Sequence, residues 1–121
     1  MPASIDGRIA QVLDTLEARL SEPLQVRDLA ASVYLSPSRF AHLFQRAVGV
    51  PPLRYIQNRR LELARRLLVE TTLAVNEIMR RSGWKDPSHF SKEFRRRFGM
   101  SPRNFRRDSN HAPAQVDEAI E

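Results

Sequence analysis

Slid along itself by fifty positions, the chain matches itself. Pro37, Ser38, Phe40, Phe44, Arg46, Gly49 and Pro52 fall on Pro87, Ser88, Phe90, Phe94, Arg96, Gly99 and Pro102, seven identities in sixteen positions. Val48/Phe98, Val50/Met100 and Tyr55/Phe105 add apolar matches. Upstream the offset is forty-nine, pairing Val26, Asp28 and Leu29 with Val75, Glu77 and Ile78, so the second copy has one extra residue in its turn. A repeat at this spacing is a duplicated supersecondary element, and two copies are too few for a solenoid. The chain is therefore expected to build one small module twice.

Each copy reads as helix, short turn, helix. In the first, Val26, Leu29, Ala30 and Val33 form a short apolar stripe, with a turn at Tyr34-Leu35. Ser36 stands as N-cap before Pro37 at the first helical position, and Gly49 ends the helix because the left-handed conformation costs glycine least. Phe40, Leu43, Phe44, Ala47 and Val48 recur at three- and four-residue spacing and face inward. The second copy has Val75, Ile78 and Met79, a turn at Ser82-Gly83-Trp84, and a helix from about Pro87 that buries Phe90, Phe94 and Phe98 before Gly99. Two short helices joined by a tight turn make a helix-turn-helix. The fold class is thus all-α, with about seven helices: first helix-turn-helix about 26–48, a long linker helix about 52–69, second helix-turn-helix about 75–98. The linker's length of roughly 26 Å is near the ~34 Å between successive major-groove faces on one side of a duplex. Before the first copy, Ile5, Ile9, Val12, Leu13, Leu16 and Leu20 make an amphipathic helix. After the second, a short helix from Ser101-Pro102 is expected to end near Arg107, and residues 109–121 to form a disordered acidic tail.

Charge is segregated along the chain. Residues 36–107 carry seventeen basic and five acidic side chains, whereas 1–35 carry three and five, and 108–121 carry four acids and no base. Eighteen of the twenty cations are arginine, whose planar fork suits phosphates and guanine edges. That distribution points to a polyanionic partner; the plainer alternative is a solvated arginine-rich surface. The absence of cysteine excludes disulfides, thiol catalysis and thiolate metal sites, and agrees with a reducing compartment. No apolar run approaches the ~20 residues needed to span a bilayer. No signal sequence opens the chain, so the bacterial cytoplasm is the expected location.

Leu29-Ala30, Leu35-Ser36-Pro37-Ser38-Arg39-Phe40, Phe44, Gly49, Pro52 and Tyr55-Ile56 resemble the first half of the AraC/XylS family signature. The run Arg60 to Leu68 resembles its linker helix. Glu77-Ile78, Gly83-Trp84, the run Ser88 to Pro102, and Phe105-Arg106 are similar to its more specific second half. The resemblance spans about residues 5–107. It implies a two-lobed DNA-binding domain of a transcription regulator, usually an activator that contacts RNA polymerase beside the promoter. Gln25 and Ala74 depart from the family's usual serine caps, a loss of roughly 1 kcal/mol each. Val48, Pro51, Met79 and Trp84 also replace the usual residues.

Helical geometry turns Ser38, Ala41, His42 and Gln45 outward in the first unit and Ser88, Ser91, Lys92 and Arg95 in the second, with Arg39, Arg46, His89 and Arg96 beside them. The resemblance implies base reading by Ser38, Arg39 and His42 and by Ser88, His89 and Lys92. Phosphate contacts are expected from Arg46, Arg59, Arg95, Arg96, Arg103 and Arg106, which position a domain without reading sequence. The amide ends at Ser36-Pro37-Ser38, Ser88 and Ser101-Pro102 are further phosphate sites. His42 and His89 have a plainer reading as surface histidines, and no ligand spacing makes them a metal site.

No glycine-rich phosphate loop, nucleophile elbow or catalytic carboxylate pair is present, so no catalytic residue, cofactor or metal is expected and the chain does not read as an enzyme. The alternative is a helix-turn-helix interaction module that contacts RNA polymerase and binds DNA only weakly. Double-stranded promoter DNA is the expected partner, with RNA polymerase second, no membrane, and a monomeric isolated domain. The chain is either a stand-alone regulator or the C-terminal piece of a longer one. Its start at the domain edge favours the latter.

Overall fold

The computed structural model describes the backbone of residues 6–116 and the side chains of residues 6–109. Among the described residues there are seven helices and no strand: α1 (Gly7–Ala18), α2 (Val26–Ser32), α3 (Pro37–Val48), α4 (Pro52–Glu70), α5 (Val75–Arg81), α6 (Pro87–Phe98) and α7 (Pro102–Val116). The all-α class follows as expected. α7 is longer than the expected helix to about Arg107, because the chain from Arg107 to Ala112 carries neither glycine nor proline to stop it. The disordered tail expected over 109–121 is therefore replaced by helix as far as Val116, and its remainder, like Ile5, lies outside the described residues.

The chain divides into two compact units, residues 1–59 and 60–121. In the first, Ile9, Val12 and Leu16 of α1 meet Leu29, Ala30 and Val33, Phe40 and Phe44 of α3, and Ile56 of α4 in one buried cluster. Phe44 sits 5.7 Å from Phe40 and edge-on to Tyr55 at 5.5 Å, arrangements that aromatic quadrupoles favour. In the second unit Leu61, Ala64 and Leu68 of α4 meet Ile78, Met79, Trp84, Phe90 and Phe94. A run of rings at 4.6–5.8 Å links Trp84, Phe90, Phe94, Phe98 and Phe105.

The duplication reaches further back than the sequence match. Ile9, Val12 and Leu16 of α1 correspond to Leu61, Ala64 and Leu68 of α4 at a constant offset of fifty-two. The C-terminal half of α4 thus covers the second unit's core as α1 covers the first. At the other end, Ile56 lies fifty before Arg106, yet Ile56 is core and Arg106 is not.

The turns repeat in detail. Tyr34 (φ +62°) and Gly83 (φ +92°) both take the left-handed conformation. The next N–H, of Leu35 or Trp84, reaches back to the carbonyl of Ala30 or Met79 at 3.0 Å. In the second unit the buried Ser82 hydroxyl also donates to the Ile78 carbonyl at 2.7 Å, which accepts the Ser82 N–H as well, so this buried hydroxyl is satisfied by the end of its own helix. The turn then feeds the next helix through a polar cap. Ser36 Oγ accepts from the Arg39 N–H at 3.2 Å, and Asp86 Oδ1 from the Ser88 N–H at 3.0 Å. Gly49 and Gly99 close α3 and α6 in left-handed geometry, as expected. α2 and α5 start without a side-chain cap at Gln25 and Ala74, as the departures from the family pattern implied.

Candidate nucleic-acid interface

The second helix of each unit is anchored by phenylalanine and turns polar side chains to solvent. Phe40, Phe44, Phe90 and Phe94 are buried, while Ser38, Arg39, His42, Gln45 and Arg46 on α3 are exposed. On α6, Ser88, His89, Ser91, Lys92, Arg95 and Arg96 are likewise exposed. Truncating one such phenylalanine to alanine costs about 3–5 kcal/mol, so the orientation of both helices is firmly set.

Each exposed face carries a shallow depression. On α3, Ser38, Arg39, His42, Leu43 and Arg46 line one of about 500 Å³. On α6, Ser91, Lys92, Arg95 and Arg96 line one of about 420 Å³. Of the six residues expected to read bases, Ser38, Arg39 and His42 share the first and Lys92 lies in the second. Ser88 and His89 are a turn away on α6, where the His89 ring stands edge-on to Trp84 at 5.2 Å. That contact fixes His89 from behind, a neighbour that spacing alone does not reveal.

The cations sort into two sets. Most are engaged within the protein. Arg59 forks onto Glu17 at 2.6 and 2.9 Å. Arg65 and Arg97 share Glu62 at 3.0 and 2.8 Å, with Arg97 also 5.5 Å over the Phe98 ring. Partial burial works against ionisation of Glu62, yet the hydrogen bonds from Arg97 and Arg65 outweigh it and hold its carboxyl below the usual value. Arg80 and Arg81 share Glu77, and Arg96 lies 3.7 Å from Glu93.

Arg106 donates to three carbonyls: Leu73 at 2.6 Å, and Leu68 and Thr71 at 3.1 Å each. Half-buried, it ties the C-terminal end of α4 to the following loop. Arg106, expected as a phosphate contact, thus already spends three of its donors inside the protein. Arg59 stands similarly committed to a carboxylate. Both partnerships cross more than thirty residues of sequence, which is why helix periodicity gave no sign of them.

Among the described residues no ion pair engages Arg39, Arg46, Lys85, Lys92, Arg95 or Arg103. Arg39 and Arg46 sit on α3, Lys92 and Arg95 on α6, Lys85 just before the α6 cap and Arg103 in the first turn of α7, and all are exposed. Lys85 was missed by the sequence reading; its place just before the α6 cap was the available signal. Of the three amide ends considered for phosphate, that of α6 is unsuited, since the Asp86 carboxylate caps it.

No helix among the described residues is long and apolar enough to cross a membrane. None of the described His, Asp and Glu side chains group as a metal site.

Two units of this form, each presenting the second of two short helices, define a duplicated helix-turn-helix protein. A family model described as a helix-turn-helix domain matches residues 29–108. The DNA-binding domain of AdpA, a global transcriptional factor solved in complex with a target DNA, is 32% identical with a TM-score of 0.85; the match covers 91% of this chain and 99% of that one. A transcriptional regulator from Chromobacterium violaceum, of the AraC-type DNA-binding domain-containing proteins, is 30% identical with a TM-score of 0.76, over 84% of this chain and 91% of that one. Regulatory protein PocR of Salmonella typhimurium is 31% identical over 116 residues, 93% of this chain and 38% of that protein. The chain spans little more than a third of the length of the first curated relatives it matches. It belongs to the AraC/XylS family of helix-turn-helix DNA-binding domains.

Proposed function

We propose that this chain is the DNA-binding part of a bacterial transcription regulator, and that α3 and α6 read the two halves of one asymmetric promoter site through the major groove. The observation that carries this is the sorting of the cations. Most arginines elsewhere meet acids or carbonyls, while the four arginines and two lysines without an ion pair among the described residues lie on the second helix of each unit or close beside it. Unpaired, solvated guanidinium groups on a rigid, phenylalanine-anchored helix lose little internal bonding when they meet phosphates. Ser38, Arg39 and His42, with Ser88, His89 and Lys92, are the base-reading set. Arg46, Arg103 and Lys85 meet phosphates, and Arg96 can join them by leaving its long contact with Glu93. Binding is by one chain per site of about 20 base pairs, the length of duplex that offers two successive major-groove faces on one side. The resemblance supports activation through RNA polymerase as the second partner, in the cytoplasm where promoter DNA lies.

The test is binding of the whole chain to labelled duplexes across a salt series. With about four phosphate-neutralising cations, log affinity should fall with log salt at a slope near −4. A selected site should be preferred over random duplex by ~10³ or more. A slope shallower than about −2 with no sequence preference would instead identify an interaction module that hardly touches DNA.

A further inference from the structure

The two second helices share a frame but not a chemistry. At the offset of fifty, Ser38 matches Ser88 and Arg46 matches Arg96, whereas His42 faces Lys92 and Gln45 faces Arg95. On α6 the three successive arginines are not equivalent. Arg96 leans on Glu93, and Arg97 is bound to Glu62 and stacked on Phe98. Arg95 alone of the three has no partner among the described residues. It lines the same depression as Ser91 and Lys92. Lys92 and Arg95, three residues apart, are separated along the helix axis by about 4.5 Å, close to the ~3.4 Å step between base pairs. Both are donors only, and the acceptor pair they match in the major groove is guanine N7 and O6. On α3 the corresponding places hold His42 and Gln45: Gln45 is exposed, and its amide offers both a donor and an acceptor, the pattern that matches adenine N6 and N7. Arg39 and Arg46 line the α3 depression together with His42.

We propose that Lys92 and Arg95 read two consecutive guanines in one half-site, and that Gln45 reads an adenine at the matching step of the other. This rests on the DNA-binding reading above. It moves Arg95 from the phosphate-binding role that its place in an arginine run suggested to a base-reading one, and gives Gln45 a role that its outward position alone did not assign. The two half-sites are then unlike in a defined way, so the operator is neither a palindrome nor a direct repeat.

The experiment enriches binding sites from a randomised duplex library with the whole chain as wild type, Arg95→Gln and Gln45→Arg. Wild type should enrich a site with adjacent guanines on one side. Arg95→Gln should exchange one of those guanines for adenine and lose roughly 10- to 100-fold in affinity for the wild-type site. Gln45→Arg should place a new guanine in the opposite half. This second variant gains a preference, an outcome that misfolding does not imitate. Uniform weakening on all sequences by Arg95→Gln, or no guanine gained by Gln45→Arg, overturns the proposal while leaving DNA reading intact. If wild type itself enriches no sequence, the DNA-binding reading falls and this inference with it.

Discussion

Tyr34 and Gly83 occupy one position in two copies of a single turn, and they do not cost the same. A non-glycine residue in the left-handed region carries a penalty of roughly 1–2 kcal/mol from its Cβ. The Tyr34 side chain is 96% exposed, so burial offers nothing in return. Glycine's greater freedom in the unfolded chain offsets part of the relief. Tyr34→Gly should therefore stabilise the protein by about 0.5–1 kcal/mol in urea unfolding, and a loss of stability would show that the turn is not strained. At this scale much was legible from sequence. Ser36, Pro37, Gly49 and Gly99 announce helix ends through local bonding, and Phe40 and Phe90 announce the inward face by period. What sequence did not show is which neighbour a side chain takes outside its own helix. The edge contact of His89 on Trp84, in the turn before α6, is one such case.

Elements raise the same issue for arginine. Sequence spacing offered Arg59 and Arg106 as phosphate ligands beside Arg46, Arg95, Arg96 and Arg103, since periodicity reports faces and not occupants. Arg106 sits where the first unit has Ile56, and the replacement of a core residue by a cation is resolved by turning the guanidinium onto the Leu68 carbonyl in the last turn of α4 and the Thr71 and Leu73 carbonyls of the following loop. A positive group at that helix end also complements the helix dipole. Arg106→Ala should lower stability by about 2–3 kcal/mol, counting charge-assisted hydrogen bonds lost from a half-buried site. Affinity of the folded fraction for random duplex should change less than tenfold. A large, sequence-independent loss of affinity at unchanged stability would restore Arg106 to the phosphate set. α4 itself looked like a linker from its sequence. Its C-terminal half proves to be the counterpart of α1, a role hidden because only three buried positions, Leu61, Ala64 and Leu68, carry the correspondence.

At the scale of the molecule, the duplication gives two cores that share no residue, and acid–arginine pairs border both. Several carboxylates have folded-state values below their ordinary ones: Asp6 at about 2 through the Arg8 side chain and N–H, Glu77 through Arg81 and Arg80, and Glu62 against its partial burial. A depressed value means that the folded protein holds the ionised form more tightly than the unfolded chain. That stability is present above the unfolded value near 4 and is lost as pH falls through the folded one. The melting temperature should thus be nearly level from pH 7 to 5 and decline between about 4.5 and 2. Glu62→Gln should flatten part of that decline. A fall that begins above pH 6 would show that these carboxylates do not set the acid limit.

The chain contains one tryptophan, and it lies in the second core with its ring beside a proposed base contact. Intrinsic emission excited at the indole band is consequently blind to the first unit and reports the second alone. The protein thus carries a native optical label on one of its two reading heads, able to time that head's arrival on a duplex without any dye.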